Sequence, residues 1–166
     1  MDDLVHRSFP PVVRPDSRLL ILGSLPGVRS LAQGRYYAHP RNQFWRLAGA
    51  VAEREDLPAL GYEARLDALL DAGIGLWDTV GAARRQGSLD TAIRLEAAND
   101  LAALIAALPR LRAIGFNGGT SSRIGRVALG GTSDGIALVD LPSSSPAYTL
   151  PFDEKRARWM ALAAFL

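Results

Sequence analysis

The sequence predicts an α/β protein: a three-layer α/β/α sandwich with a short, mostly parallel sheet of four strands. The first observation is that four short runs are rich in aliphatic residues, as is typical of strands buried on both faces. These runs are residues 18–22, 74–78, 112–116 and 135–141. The second is that helical patterns separate the runs, and strands alternating with helices form a parallel sheet covered on both sides.

The helical patterns cover residues 43–54, 63–72, 100–108, 121–129 and 153–166. Asn99 is placed to cap the third of them, and Pro151 opens the last. Residues 1–16 contain several prolines and are expected to form an extended N-terminal arm. Neither a linker nor a repeat interrupts the pattern, so residues 1–166 are expected to form a single domain.

The composition excludes several classes of site. The 166 residues include no cysteine, which excludes disulfides, thiolate zinc sites, cysteine-ligated iron–sulfur clusters and a cysteine nucleophile. Lys155 is the single lysine beside 18 arginines, so a Schiff base has one side-chain candidate. Because no apolar run approaches the ~20 residues that span a bilayer, we expect a soluble cytoplasmic protein without a membrane partner.

The charges are unevenly distributed. Residues 17–52 carry five arginines and no acidic residue, residues 101–133 carry four and none, and residues 53–71 lean acidic. This asymmetry indicates either one face that meets phosphate or a scatter of arginines over a solvated surface.

Ligands of such sheets bind beyond the carboxyl ends of the strands. The candidate loops are therefore residues 23–42, 79–90, 117–120 and 142–150. In the first of them, "GSLPG" supplies Gly23, Ser24 and Gly27. A glycine-rich turn of this kind either aims backbone N–H groups at a phosphate or a base edge, or simply ends a strand.

The segment "YYAHPRNQFW" has the densest chemistry. Tyr37 offers a flat apolar face, His39 a titratable ring, and Asn42 an amide that both donates and accepts. His39 is equally suited to a structural hydrogen bond within the loop. Phe44 and Trp45 begin a helix and are expected in the core.

Two further strand ends carry polar residues. "LPSSSPAY" places Ser143, Ser144 and Ser145 between prolines, which suits either a phosphate grip or a rigid polar turn; the Pro146 to Tyr148 tip is suited to wedging into a base stack. Asp78 either contacts a ligand's exocyclic group or water, or caps a turn. For "FNGGTSS" we favour a helix cap through serine or threonine over a ligand contact by Asn117.

Together these loops resemble the uracil-DNA glycosylase superfamily, and most closely its hypoxanthine-DNA glycosylase branch. The resemblance is carried, in the family's order, by "GSLPGVRSL", "YYAHPRNQFW", "GIGLWDTV" with "GSLDTAI", "FNGGT" and "LPSSSPAY". It implies a base flipped into a pocket and stacked on Tyr37, with contacts from Gly23, Ser24, Gly27, His39 and Asp78. It also implies that no metal or organic cofactor is required.

The sequence departs from the family pattern at two positions. Many members carry asparagine or aspartate in the first glycine motif, where this chain has Leu25, and histidine or asparagine before Pro-Ser, where it has Leu141. The resemblance to the hypoxanthine branch transfers the catalytic role to Asn42. An asparagine at the start of a helix is also a common cap, and this alternative stays open.

The expected activity is a monofunctional DNA glycosylase that releases hypoxanthine from deoxyinosine. The alternatives are a uracil-directed enzyme of the same family, a catalytically weak module that binds damaged DNA or a nucleotide, and a nucleoside hydrolase or phosphate-binding hydrolase. We expect a monomer, associated with the nucleoid, that acts on damaged duplex or single-stranded DNA. Phosphate contacts are expected from Ser143, Ser144 and Ser145 and from three arginines, Arg29, Arg41 and Arg123.

Overall fold

The structure is a computed structural model that describes residues 5–85, 88–89, 93–130 and 133–166. The strands within these ranges are β1 (Val5–Arg7), β2 (Leu19–Gly23), β3 (Ile74–Asp78), β4 (Val80–Arg84), β5 (Arg94–Ala98), β6 (Ala113–Asn117) and β7 (Ala137–Leu141). The α-helices are α1 (Val28–Gln33), α2 (Phe44–Val51), α3 (Tyr62–Asp71), α4 (Leu101–Ala106), α5 (Gly119–Leu129) and α6 (Phe152–Trp159). Short 3-10 helices cover Leu57–Ala59 and Met160–Phe165.

The larger sheet has the order β3-β2-β6-β7, and every neighbouring pair is parallel. The predicted four-stranded sheet is confirmed. In β2, Leu19 and Ile21 pack into one buried cluster, whereas Leu20 and Leu22 pack into another. Because successive side chains of a strand point to opposite faces, both faces of this strand are covered.

Helices supply the two outer layers. Residues of α2, α3 and α6, including Phe44, Leu69 and Trp159, pack against one face of the parallel sheet. Residues of α4 and α5, including Leu101 and Leu129, pack against the other face. The predicted three-layer α/β/α arrangement is therefore confirmed.

A second, antiparallel sheet was not predicted. It has the order β1-β4-β5, so part of the expected N-terminal arm is a strand paired with residues 82–84. β4 also occupies part of what we expected to be the loop 79–90; residues 86, 87 and 90 of that loop lie outside the described residues. The prediction was wrong because β1 and β4 are short and pair across more than seventy residues of chain, a contact that no local pattern indicates.

Several helix boundaries also differ from the prediction. Asp100, not Asn99, caps α4, since its Oδ1 accepts from the Ala103 N–H at 3.0 Å. Asn99 instead donates to the carbonyl oxygens of Asp78 and Val80, at 2.8 and 3.3 Å. α6 changes to a 3-10 helix after Trp159, and α1 forms within the predicted loop 23–42.

Candidate active site

A cavity of about 600 Å³ opens at the carboxyl ends of the parallel strands, the edge at which such sheets bind ligands. The predicted residues in its wall are Asn42, the base-pocket candidates Gly23, Ser24, Gly27, Tyr37, His39 and Asp78, and the DNA-contact candidates Arg29, Ser143, Ser144, Ser145, Pro146 and Tyr148. Arg41 and Arg123 are exposed and do not belong to this wall.

Gly23 lies directly against two polar side chains, those of Asp78 and Tyr37. A Cβ on Gly23 would lie 2.7 Å from Asp78 Oδ1 and 3.1 Å from the Tyr37 hydroxyl oxygen. The first of these distances is shorter than any normal contact, so a side chain at this position would force Asp78 or the loop to move. Asp78 is 3% exposed, which places its carboxylate at the floor of the cavity.

Tyr37 extends the aromatic core into the cavity. Its ring stacks on Phe44, with the ring centroids 3.8 Å apart and the planes 11° from parallel. Its backbone has φ of 54°, in the left-handed region that few residues with side chains adopt. Phe44 covers one face of the ring, and Tyr37 also lines the cavity.

Tyr36 is buried below Tyr37, and its hydroxyl donates to the carbonyl oxygen of Pro10 at 3.3 Å. Burial, with a smaller contribution from the Asp78 carboxylate, raises the pKa of Tyr36 above its ordinary value. The phenol therefore stays protonated. It links the loop of residues 23–42, called the first active-site loop below, to the N-terminal segment.

Asn42 contacts the start of α2 and also lines the cavity, and Gln43 is the residue at the N-cap of this helix. Its Oδ1 accepts from the Phe44 N–H at 2.9 Å, which ties the start of α2 to this side chain. The amide is half-buried and lines the cavity. The Phe44 contact also assigns the amide orientation, and it leaves Nδ2 as a donor and one lone pair of Oδ1 as an acceptor.

His39 supports its own loop and also reaches the cavity. Its Nδ1 accepts from the Arg41 N–H at 3.1 Å, so the neutral ring carries its proton on Nε2. The backbone carbonyl of His39 accepts from the Asn42 N–H at 3.0 Å. His39 therefore fixes the turn that presents Asn42.

Ser144 fits the rigid polar turn that the sequence left open beside a phosphate grip, whereas the segment of Asn117 differs from its prediction. Ser144 is 1% exposed, and its hydroxyl accepts from Asn117 Nδ2 at 2.9 Å. This geometry indicates that Ser144 braces the loop, and it leaves Ser143 and Ser145 as the candidates for phosphate contact. The start of α5 is Gly118 without a side-chain cap, so the expected serine or threonine cap is wrong.

Asn117 is the cavity residue to which sequence reasoning gave too little weight. Its Nδ2 also donates to the Tyr37 hydroxyl at 3.2 Å, so one amide contacts two active-site loops. The signal that could have identified it is position: Asn117 ends β6 at the same sheet edge where Asp78 ends β3.

Lys155 lies closer to the site than the sequence suggested. We expected this lysine to lie away from the strand ends because it belongs to the last helix. It is 1% exposed, its Nζ donates to the Ser145 carbonyl oxygen at 3.2 Å, and it lies 5.4 Å from the centre of the Tyr148 ring. Lys155 thus supports the loop of residues 142–150, called the serine loop below, because α6 packs next to β7.

Two kinds of feature are absent from the described residues. Among them, no group of three or more histidine, cysteine, aspartate or glutamate side chains is placed to hold a metal ion. No helix in the same ranges has both the length and the apolar character that a membrane span requires.

The family model of the uracil DNA glycosylase superfamily matches residues 10–165. The chain belongs to this superfamily. The resemblance carried by the five loop motifs is confirmed, and as a member of the superfamily the protein is a DNA glycosylase whose substrate is DNA.

Individual relatives agree with this assignment. A protein of Methanosarcina acetivorans named hypoxanthine DNA glycosylase is 38% identical over 96% of this chain and 98% of its own length. One of Methanosarcina barkeri with the same name is 45% identical over 68% of this chain and 70% of its own. A solution NMR structure of a candidate uracil DNA glycosylase from M. acetivorans superposes with a TM-score of 0.85 at 38% identity, covering 96% of this chain and 97% of that one.

In this glycosylase the two leucines at the departing positions are structural. Leu25 packs with Val80, Ala83 and Ile124, and Leu141 belongs to the large core cluster. Neither lines the cavity. Position 25 thus contributes no polar side chain to the wall of the cavity. Within the first active-site loop, the side-chain amide that lines the cavity is that of Asn42.

Proposed function

We propose that this DNA glycosylase removes hypoxanthine from deoxyinosine in DNA and leaves an abasic site. The observation that carries the proposal is that Asn42, Tyr37 and Gly27 line one cavity at the carboxyl edge of the sheet. Two relatives with high coverage bear the name hypoxanthine DNA glycosylase. A base extruded from the helix would stack on the uncovered face of Tyr37.

Asn42 would orient the nucleophilic water. The water oxygen forms a bond to C1′ while the bond from C1′ to the base breaks and its electron pair leaves with the base. One proton of the water passes to the departing base or to solvent. The sugar becomes oxocarbenium-like, so catalysis requires a positioned water on one side and donors to the base on the other.

Backbone N–H groups near Gly27 would stabilise the base as it leaves. Gly27 has no side chain between its amide and the cavity, which permits close approach of a base edge. Asp78 and His39 would contact polar groups of the base. A DNA duplex is deformed at a deaminated or mispaired base at lower cost, which favours extrusion there.

The DNA backbone would be held by Ser143 and Ser145 with Arg29, and more weakly by Arg41 and Arg123. Pro146 and the exposed Tyr148 form the tip that would enter the base stack. We infer a monomer, without cofactor, that acts on damaged duplex or single-stranded DNA in the cytoplasm at the nucleoid. The reaction is inferred to be monofunctional, because the Lys155 amine is buried and donates to Ser145.

Duplexes that carry one inosine or one uracil at the same position test the proposal. The expected result is faster base release from inosine, detected as strand cleavage after alkali. No release from either substrate would contradict a glycosylase. Borohydride trapping of a covalent DNA adduct would contradict the monofunctional reaction.

A uracil-directed enzyme is the second candidate, because the superposable NMR structure is that of a candidate uracil DNA glycosylase. A pyrimidine is smaller than a purine, so a cavity that holds hypoxanthine would also have room for uracil. The ratio of the two single-turnover rate constants decides between the candidates, and a strong preference for uracil would replace the proposed specificity.

A further inference from the structure

Arg85 is a buried arginine to which the excision chemistry above gives no role. It directly follows β4, and it is 1% exposed. Its Nη2 donates to the carbonyl oxygen of Pro26 at 2.5 Å, and its Nη1 donates to that of Leu25 at 3.4 Å. The guanidinium of Arg85, the residue after a strand of the second sheet, therefore holds the backbone of the first active-site loop.

Ser88 holds the same backbone on the other side of Gly27. Its Oγ accepts from the Val28 N–H at 2.8 Å. Pro26 has no N–H to donate. Between Pro26 and Val28, the Gly27 N–H is thus the amide donor that has no acceptor among the residues the structure describes.

The contact between Arg85 and the Pro26 carbonyl constrains the direction of the Gly27 N–H, which belongs to the same peptide. The C=O and N–H of a trans peptide point to opposite sides, and the described residues contain no cis peptide bond. Because the Pro26 carbonyl is directed at Arg85, the Gly27 N–H is directed away from Arg85. Gly27 lines the cavity and Arg85 does not, which supports a Gly27 N–H on the cavity side.

We propose that Arg85 is a positioning residue for base excision: it holds the Pro26–Gly27 peptide while Ser88 holds the Gly27–Val28 peptide, so that the Gly27 N–H donates to the departing base. The inference rests on the proposed function. Negative charge develops on the base as the glycosidic bond breaks, and a preorganised donor aimed at that charge stabilises the transition state. A charged donor on the carbonyl also polarises the peptide and makes its N–H a stronger donor.

Arg85→Met tests this role, with Arg65→Met as the matched control. Arg65 also donates to two backbone carbonyls of a proline-containing turn, those of Pro58 at 2.5 Å and Leu60 at 2.9 Å, but neither residue of that turn lines the cavity. Both variants lose the same kind of contact, so both are expected to lower the melting temperature. Only Arg85→Met is expected to slow the chemical step.

The measurement separates binding from chemistry. Single-turnover release of hypoxanthine is expected to fall about 10-fold or more in Arg85→Met and to stay within about two-fold in Arg65→Met. Affinity for duplex with a hydrolysis-resistant 2′-fluoro-deoxyinosine is expected to stay within about three-fold in both. Arg85→Lys, which keeps a cationic donor, should restore part of the rate.

Ser88→Ala keeps the inference testable if Arg85→Met does not fold, because Ser88 is exposed. It should slow release about three-fold or more, and the double variant should lose less than the product of the two effects, since the two residues hold the peptides on either side of Gly27. Rates within two-fold of wild type in every folded Arg85 and Ser88 variant would overturn this inference alone. No release by the wild-type protein would overturn the proposed function and this inference with it.

Discussion

Asn117 and Ser144 are joined by two hydrogen bonds of 2.9 Å: the Ser144 N–H donates to Asn117 Oδ1, and Asn117 Nδ2 donates to Ser144 Oγ. The same Nδ2 donates to the Tyr37 hydroxyl. The Asn117 amide at the end of β6 therefore fixes the position of the Tyr37 ring relative to the serine loop. Buried amides with several partners are costly to remove, because each partner loses its hydrogen bond without gaining water.

Asn117→Ala should therefore affect both stability and catalysis. We expect the free energy of unfolding to fall by about 1–3 kcal/mol, since buried groups of Ser144 lose their partner. Single-turnover excision should slow by about ten-fold or more, because Tyr37 and the serine loop lose their common support. Urea unfolding and single-turnover assays measure the two effects. A less stable variant with an unchanged rate would limit Asn117 to the fold.

Asn42→Ala is expected to slow excision by a factor of about 10² or more while binding of inosine DNA stays within a few-fold. The loss of the contact to the Phe44 N–H should also cost about 1 kcal/mol of stability. Both follow from the two contacts that the amide makes, one with the start of α2 and one with the cavity.

Asn42→Ser is the control for Asn42→Ala. Serine keeps an acceptor for the Phe44 N–H but lacks the amide and its reach, so stability should be retained while excision stays slow. An active Asn42→Ala variant of slightly lower stability would remove Asn42 from the mechanism and direct attention to Asp78 and His39.

Gly23→Ala should impair excision because the new methyl group has no room. Its carbon would lie 2.7 Å from Asp78 Oδ1, so the carboxylate or the loop must move by some tenths of an ångström. We expect about a ten-fold loss in the single-turnover rate constant, as for other small displacements of active-site groups.

Gly119→Ala is the matched control for Gly23→Ala. Gly119 lines the same cavity, but a Cβ there would meet nothing within 4 Å. It should keep nearly the wild-type rate. Equal losses in the two variants would show that added bulk in the cavity, and not the contact with Asp78, causes the effect.

Lys155 predicts a defined pH dependence of stability. Burial lowers the pKa of Lys155 in the folded state below its ordinary value of 10.5. The unfolded chain therefore binds this proton more tightly, and folding stability rises with pH between the lowered pKa and 10.5. Relative to Lys155→Met, the wild-type protein should gain stability as the pH rises toward 10.5, as measured by urea unfolding. A constant difference across this range would contradict the lowered pKa.

Arg29→Ala tests the phosphate-binding surface. Affinity for DNA should fall steeply with salt, and removing one arginine that contacts a phosphate should reduce the slope of log K against log salt by about one. Arg29 lines the cavity, so its effect should exceed those of Arg41→Ala and Arg123→Ala. Arg126→Ala is the control, because Arg126 is paired with Asp140 at 3.0 Å. An unchanged slope in Arg29→Ala would exclude a phosphate contact by this residue.

The parallel sheet and the loops of the site were predictable because both follow from local patterns. A five-residue run such as Leu19–Gly23 is aliphatic enough to be buried on both faces, and helices separate it from the next parallel strand. Parallel strands bring their carboxyl ends to one edge, so Asp78, Asn117 and the two loops with Asn42 and Ser143 had to meet there.

The second sheet was missed because its pairing is not local. β1 has three residues and pairs with β4 across the whole first half of the chain. The role of Asn99 was missed for the same reason: its partners are the carbonyls at the end of β3 and the start of β4, and a cap by the next residue replaced the expected one.

The sequence by itself determined which segments are buried and which loops share the edge of the sheet, since hydrophobic periodicity and connection order depend only on neighbours in the chain. The tertiary structure alone decided what the polar side chains do. Arg85 meets Pro26 across 59 residues, and Asn117 meets Tyr37 across 80. Such contacts depend on how the layers pack, because a buried donor takes whichever acceptor the packed elements bring within reach.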